Sequence, residues 1–187
     1  MRCFIEIDVP DINKSYILEN MMRIKNTSTG YDFRITKKEN LHITLAFLGE
    51  INEKTLSEII KKVSEIAKSF CSFECIFSKI EPIPAKFPRI IWITLDENIT
   101  LSKLYEELKK ALMLENEHGS FKAHITAARL NPDSKGKKII NINKKGIEPL
   151  KFRVSELKIM KSILKSDGPE YIVIESIHLA KNVNLRE

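Results

Sequence analysis

The sequence predicts a single domain over residues 1–187, with strands and helices interleaved and arranged as two similar lobes. Three observations carry that reading. Segments with apolar residues at every second position alternate with segments that repeat at every third and fourth position, the two periods of strands and helices. A strand, a helix and a second strand occur in that order twice. The second strand of each unit carries nearly the same tetrapeptide, His42-Ile-Thr-Leu45 in one and His124-Ile-Thr-Ala127 in the other. A unit repeated once suggests lobes related by a pseudo-twofold axis, with the two histidine-bearing strands facing each other.

Cys3–Val9 alternates apolar and acidic residues as a half-buried strand does, and Pro10 ends it. A helix follows from Asp11, near its N-cap, to about Ile24, on the spacing of Ile12, Tyr16 and Met21 or Met22. Thr27–Gly30 reads as a turn. Leu41–Leu48 is the next strand, closed by Gly49. Regular alternation puts Leu41, Ile43, Leu45 and Phe47 on one face and His42, Thr44, Ala46 and Leu48 on the other. The clearest helix carries Leu56, Ile59, Ile60, Val63, Ile66, Ala67 and Phe70 on one stripe, with Asn52 as its cap.

Strands are expected at about 72–80 and at Arg89–Leu95, separated by a loop punctuated by Pro82, Pro84 and Pro88. Leu101, Leu104, Leu108, Ala111 and Leu112 line a helix from about Thr100 to Leu114. Phe121–Arg129 is the strand with the second histidine. A lysine- and asparagine-rich loop covers about 131–146. Two strands, about 152–164 and 170–180, finish the chain through the hairpin-type turn Lys165–Pro169.

Composition narrows the class. At 43% hydrophobic and 30% charged residues, the chain has the means to bury a core. No apolar run approaches the roughly 18 residues of a membrane span, and Met1–Asp8 carries carboxylates where a signal peptide needs an apolar stretch. A cytoplasmic location is the expectation. Three cysteines, Cys3, Cys71 and Cys75, make no disulfide framework and read as buried small apolar side chains. The net charge of +6 is compatible with a polyanionic partner without requiring one.

The chemistry lies in the repeated His-x-Thr. Positions i and i+2 of a strand share a face, about 6 to 7 Å apart, while Ile43 and Ile125 point into the lobes. Each lobe would then offer an imidazole and a hydroxyl to a shared cleft. Imidazole, with an ordinary pKa of about 6.5, is suited to supply both a base and an acid near neutral pH. Opening a cyclic phosphodiester needs both, one to take a proton from water and one to protonate the departing oxygen. Threonine hydroxyls can donate to non-bridging phosphate oxygens. The scheme needs no metal, and only His42 and His124 have matched settings. His178 reads as a satisfied or exposed strand residue, His118 as loop surface, and Trp92 and the phenylalanines as core. Lys86, Arg89, Lys122 and the lysines of 135–145 are either a track for an RNA backbone or a solvated basic surface.

Arg2–Asp8, Glu39–Glu50, Pro88–Trp92 and Phe121–Arg129, with the paired His-x-Thr motifs, resemble the RNA 2′,3′-cyclic phosphodiesterase branch, also called 2′-5′ RNA ligase, of the two-histidine phosphoesterase superfamily. The resemblance spans essentially the whole chain. It implies a bilobal α+β fold, each lobe an antiparallel sheet with outer helices, and a catalytic cleft between them. It implies hydrolysis of RNA 2′,3′-cyclic phosphate ends to 2′-phosphomonoesters, with the natural substrate left open between tRNA fragments, cyclic nucleotides and a small phosphodiester. Residue types alone leave the two histidine roles open; the resemblance makes His42 the proton donor and His124 the proton acceptor. Thr44, Thr126 and Arg129 would hold the phosphate. Arg129 lies an odd step from His124, so a bulge or strand end must turn it toward the cleft. No cofactor, metal or membrane is expected, and a monomer is the expected assembly. Two competing readings are 2′-5′ RNA ligation by the same site and a non-catalytic RNA-end-binding module.

Overall fold

The computed structural model describes residues 1–27, 32–114, 121–131, 147–166 and 168–181. The expected turn at 28–30, the basic loop at 132–146, His118 and Asp167 of the last turn lie outside them. The chain runs β1 (Arg2–Asp8), α1 (Asp11–Thr27), β2 (Phe33–Ile35), a 3-10 turn at Lys38–Asn40, β3 (His42–Glu50) and α2 (Glu53–Lys68). It continues through β4 (Phe73–Ile83), β5 (Ile90–Leu95), α3 (Ile99–Leu112), β6 (His124–Leu130), β7 (Lys151–Val154), β8 (Glu156–Lys165) and β9 (Gly168–His178).

All strand pairs among these elements are antiparallel. They form one strongly curled sheet in the order β7-β4-β5-β6-β3-β1-β8-β9, with β2 also paired to β6. The fold is α+β, and the two histidine strands do not face each other across a gap. They lie edge to edge, β3 against β6, with Ile43 across from Ile125. That pair ties β1, β3, β8 and β9 to β4, β5, β6 and β7.

The apolar stripes account for the core. Ile5, Ile7, Ile43, Leu45, Ile91, Ile93 and Ile125 are fully buried and join Val63, Ala67, Leu101, Leu104 and Leu108 of the helices in one cluster. Each such valine, leucine or isoleucine side chain contributes roughly 1.5–3 kcal/mol on burial. Asn52 caps α2 as expected, its side-chain oxygen accepting from Thr55 N at 2.8 Å. Asn98 does the same for α3 through Leu101 N at 2.9 Å. Asp11 lies next to the cap as expected: it is the first helical residue of α1, and the Pro10 carbonyl before it accepts from Lys14 N at 2.9 Å.

Three other expectations change. Gly49 continues β3, at φ 68°, instead of closing it. The strand expected at 152–164 breaks at Ser155, because β7 pairs with β4 and β8 with β1 on the other half of the sheet. Cys3 and Cys75 are buried, but Cys71 is exposed before β4, where it forms only a bridge to Ala180. Among the described residues no helix is long and apolar enough to cross a membrane.

Candidate active site

Alternation along β3 and β6 buries Ile43 and Ile125 completely and leaves His42, Thr44, His124 and Thr126 half-buried on the opposite face. Counting antiparallel register from the Ile43–Ile125 pair puts Thr44 beside His124 and His42 beside Thr126. The two histidines are then diagonal neighbours, about 7–8 Å apart by sheet geometry. All four side chains line one cleft of about 830 Å³.

Both strands bulge at the same point after the motif. Ile5 pairs with Ala46 but Glu6 with Thr44, so Leu45 is the extra residue in β3. Ile91 pairs with Ala128 but Trp92 with Thr126, so Ala127 is the extra residue in β6. A bulge reverses the alternation beyond it. Leu45 and Ala46 are therefore both buried, as are Ala127 and Ala128, and the next residue in each strand turns to the cleft. In β6 that residue is Arg129, so the bulge its odd spacing demands is present. In β3 it is Phe47, 66% exposed on the cleft rim, where plain alternation had put it in the core. Thr36 fastens the β6 bulge: its N–H donates to the Ala127 carbonyl at 2.9 Å and its hydroxyl to the Thr126 carbonyl at 2.8 Å.

The histidines are held alike. Nδ1 of His42 lies 2.8 Å from the Asn40 carbonyl, and Nδ1 of His124 lies 2.8 Å from the Lys122 carbonyl. A carbonyl can only accept, so each ring carries its hydrogen on Nδ1 and keeps the Nε2 lone pair for other partners. The Thr44 hydroxyl donates to His42 Nε2 at 3.0 Å. Aromatic rings fix both imidazoles. Trp92 stacks on His124 at 3.7 Å between centroids, while Phe4 and Tyr171 flank His42 at 5.1 and 5.4 Å. Trp92 is thus a cleft residue and not core. Burial lowers the pKa of His42 to about 4 and lowers that of His124, so both imidazoles favour the neutral form at pH 7.

Cations rim the cleft. Arg34 of β2 lies directly across from Arg129, and Arg2 and Lys122 join them. Like charges side by side repel until an anion comes between them. Lys122 also pairs with Glu81 at 2.5 Å, while Lys86 and Arg89 lie on the exposed surface outside the cleft lining. His178 is exposed beside Glu156. Among the described residues no three His, Cys, Asp or Glu side chains gather as a metal ion requires. Sequence reading missed Phe4, Arg34 and Tyr171. The alignment of His-x-Thr-x-x-Phe with His-x-Thr-x-x-Arg was the available signal for Phe47.

Residues 21–164 match the 2′-5′ RNA ligase superfamily. The chain belongs to that superfamily. Among relatives in it, an RNA 2′,3′-cyclic phosphodiesterase of Thermotoga maritima is 34% identical over 185 residues, covering 93% of each chain. One from Archaeoglobus fulgidus is 31% identical, over 91% of this chain and 96% of its own. One from Methanocaldococcus jannaschii is 30% identical, over 94% and 99%. The fold is shared with a crystal structure from Thermus thermophilus (TM-score 0.78, 24% identity, 97% of this chain and all of that one). It is shared also with E. coli LigT complexed with 3′-AMP (TM-score 0.70, 22% identity, 96% and 98%). The superfamily match takes in both His-x-Thr segments and Arg129. Phe4, Glu6 and Tyr171 lie outside it.

Proposed function

We propose that this superfamily member is a hydrolase that opens 2′,3′-cyclic phosphates at RNA ends, leaving a 2′-phosphomonoester and a free 3′ hydroxyl. The observation that carries the reading is the matched pair of imidazoles, each with Nδ1 tied to a carbonyl and Nε2 available, in one cleft rimmed by arginine. The names of the three relatives support the substrate class.

In this scheme His124 is the proton acceptor and His42 the proton donor. Nε2 of His124 takes a proton from water as the water oxygen bonds to phosphorus. The bond from phosphorus to the 3′ oxygen breaks, and that oxygen takes the proton from Nε2 of His42. His42 must therefore be charged beforehand, and the phosphate's own negative charge favours that state. Thr44 then turns its hydroxyl from Nε2 to a non-bridging oxygen. Thr126 and Arg129 hold the others, and the arginine meets the developing charge. We read the two strand-helix-strand units as a duplication that supplies one His-Thr pair each.

The test is turnover of a 2′,3′-cyclic nucleotide. His42→Ala and His124→Ala should each lower kcat by about 10²–10⁴-fold, the usual worth of a general acid or base, while excess EDTA changes nothing. Full activity in either variant, or loss on chelation, refutes the mechanism. The superfamily match favours one second reading, 2′-5′ joining of RNA ends by the same residues. An oligonucleotide ending in a cyclic phosphate separates the two, because joining lengthens the chain and hydrolysis does not.

A further inference from the structure

One carboxyl beside the acid has no part in that scheme. Glu6 sits on β1 across from Thr44 of β3, is 4% exposed, and holds Oε2 at 3.6 Å from His42 Nδ1. That distance is too long for a hydrogen bond, and Nδ1 already donates to the Asn40 carbonyl. Among the described residues His42 is the one partner of Glu6 within ion-pair reach. A buried carboxyl with no hydrogen bond calls for an explanation.

The neighbouring charges do not supply it. Asp8, on the same strand, is gripped by Lys14 of α1 and Lys158 of β8, each at 2.7 Å. Lys158 also reaches Glu156 at 3.5 Å. Two further titratable groups face the pair: Tyr171 of β9, whose ionisation Glu6 opposes, and His124 of β6, whose charge would lower the pKa of His42. The two lysines are thus ion-paired with Asp8 and act on Glu6 only at longer range, each drawing its pKa down. His42 is the side chain at ion-pair distance from it.

We infer, building on the hydrolase reading with His42 as acid, that Glu6 is a positioning residue that ionises as His42 gains its proton. The imidazolium then forms with a carboxylate behind it and the substrate phosphate in front. Without an anion at Nε2 both partners favour the neutral form: burial, reinforced by Asp8 and opposed by Lys158 and Lys14, pushes Glu6 up to about 8, and burial holds His42 down at about 4. An anion docking at Nε2 favours the charged ring. A buried cation next to a neutral carboxyl is costly, and ionising that carboxyl converts the arrangement to a buried ion pair. The two sites therefore titrate as a unit. No proton passes directly between them, because Nδ1–H stays on Asn40. Nε2 takes a proton from solvent and Glu6 releases one to solvent, so the pair's net charge does not change.

The experiment follows the Glu6 carboxyl carbon and the His42 ring nitrogens by NMR at pH 7, in the full chain, with and without inorganic phosphate. Glu6 should be protonated and His42 neutral without phosphate; with it, His42 becomes charged and Glu6 ionised in one transition. A charged His42 beside a protonated Glu6 overturns the inference, as does a pair that phosphate leaves unchanged. The isosteric Glu6→Gln adds a kinetic readout. Without the counter-charge the alkaline limb of its kcat profile should move down by about one pH unit, because the imidazolium is held roughly tenfold less firmly, with KM within about twofold. A profile identical to that of the parent chain overturns the inference. Turnover of 2′,3′-cyclic AMP by the unaltered chain is scored separately. Failure there refutes the hydrolase reading, whereas a silent Glu6 in an active enzyme refutes only the coupling.

Discussion

Arg129 and Trp92 divide the support of the second histidine's half of the cleft. Arg129 reaches the cleft as a charged donor; Trp92 lies flat against the imidazole of His124 and limits its rotation. Their losses should therefore look different. A hydrogen bond to a charged group is worth roughly 1.5–3 kcal/mol, so Arg129→Gln should lower kcat/KM by about 10- to 100-fold. Trp92→Leu keeps an apolar neighbour but no stacking plane. It should lower kcat more than it raises KM, because the ring samples orientations away from the attacking water. Steady-state kinetics on a cyclic nucleotide check both, and a Trp92→Leu effect confined to KM would assign the indole to substrate contact instead. The contrast also marks what can be read from sequence at this scale. His42 and His124 stand out because the same triplet recurs at the same point of a repeated unit. Glu6, Phe4 and Tyr171 come from β1 and β9, whose nearness to β3 depends on strand order, and no local pattern encodes that order.

At the scale of elements, the bulges decide which side chains serve the cleft. Deleting Ala127 would remove the extra residue, leave Arg129 an even step from His124 and so still on the cleft face, and remove the carbonyl that accepts from Thr36 N. The protein should be less stable, while kcat/KM stays above that of Arg129→Gln because the guanidinium remains on the cleft face. A deletion variant as slow as Arg129→Gln would show that the bulge itself, and not only the face, places Arg129. Periodicity identified the three α-helices found among the described residues, and the Asn52 cap gives a clean contrast remote from the cleft. Asn52→Ala should cost about 1 kcal/mol, a fall in Tm of roughly 2–4 °C for a chain of this size, with kcat unchanged. The same periodicity could not reveal β2, since three residues carry too little alternation to register. Nor could it show the break at Ser155, since β7 and β8 keep the strand pattern on both sides of it and differ only in the strand each pairs with.

For the whole molecule, the cluster behind His42 should shape how stability depends on pH. Glu6, at about 8 when folded against about 4.5 as a free side chain, keeps a proton that the unfolded chain releases. Its contribution is complete below pH 4.5 and is lost as pH rises through 8. His42 acts in the opposite sense. The unfolded chain takes up a proton below pH 6.5 that the folded protein refuses until about 4, so stability falls as pH drops across that interval. Between about pH 4.5 and 6.5 the two slopes cancel, and the pair's contribution is flat; from 6.5 to 8 only the Glu6 decline remains. Asp8 opens no window there, because the Lys14 and Lys158 hydrogen bonds outweigh its burial and hold it below the ordinary carboxylate value. Glu6→Gln removes one slope and leaves the other. Its stability relative to the parent chain should climb by roughly 1 kcal/mol per pH unit between pH 5 and 8. Denaturant unfolding of both proteins at four or five pH values measures that difference directly. Parallel curves would mean that Glu6 is ionised in the folded protein throughout, and the buried carboxyl would then have to draw its compensation from Lys14 and Lys158 instead of from a proton.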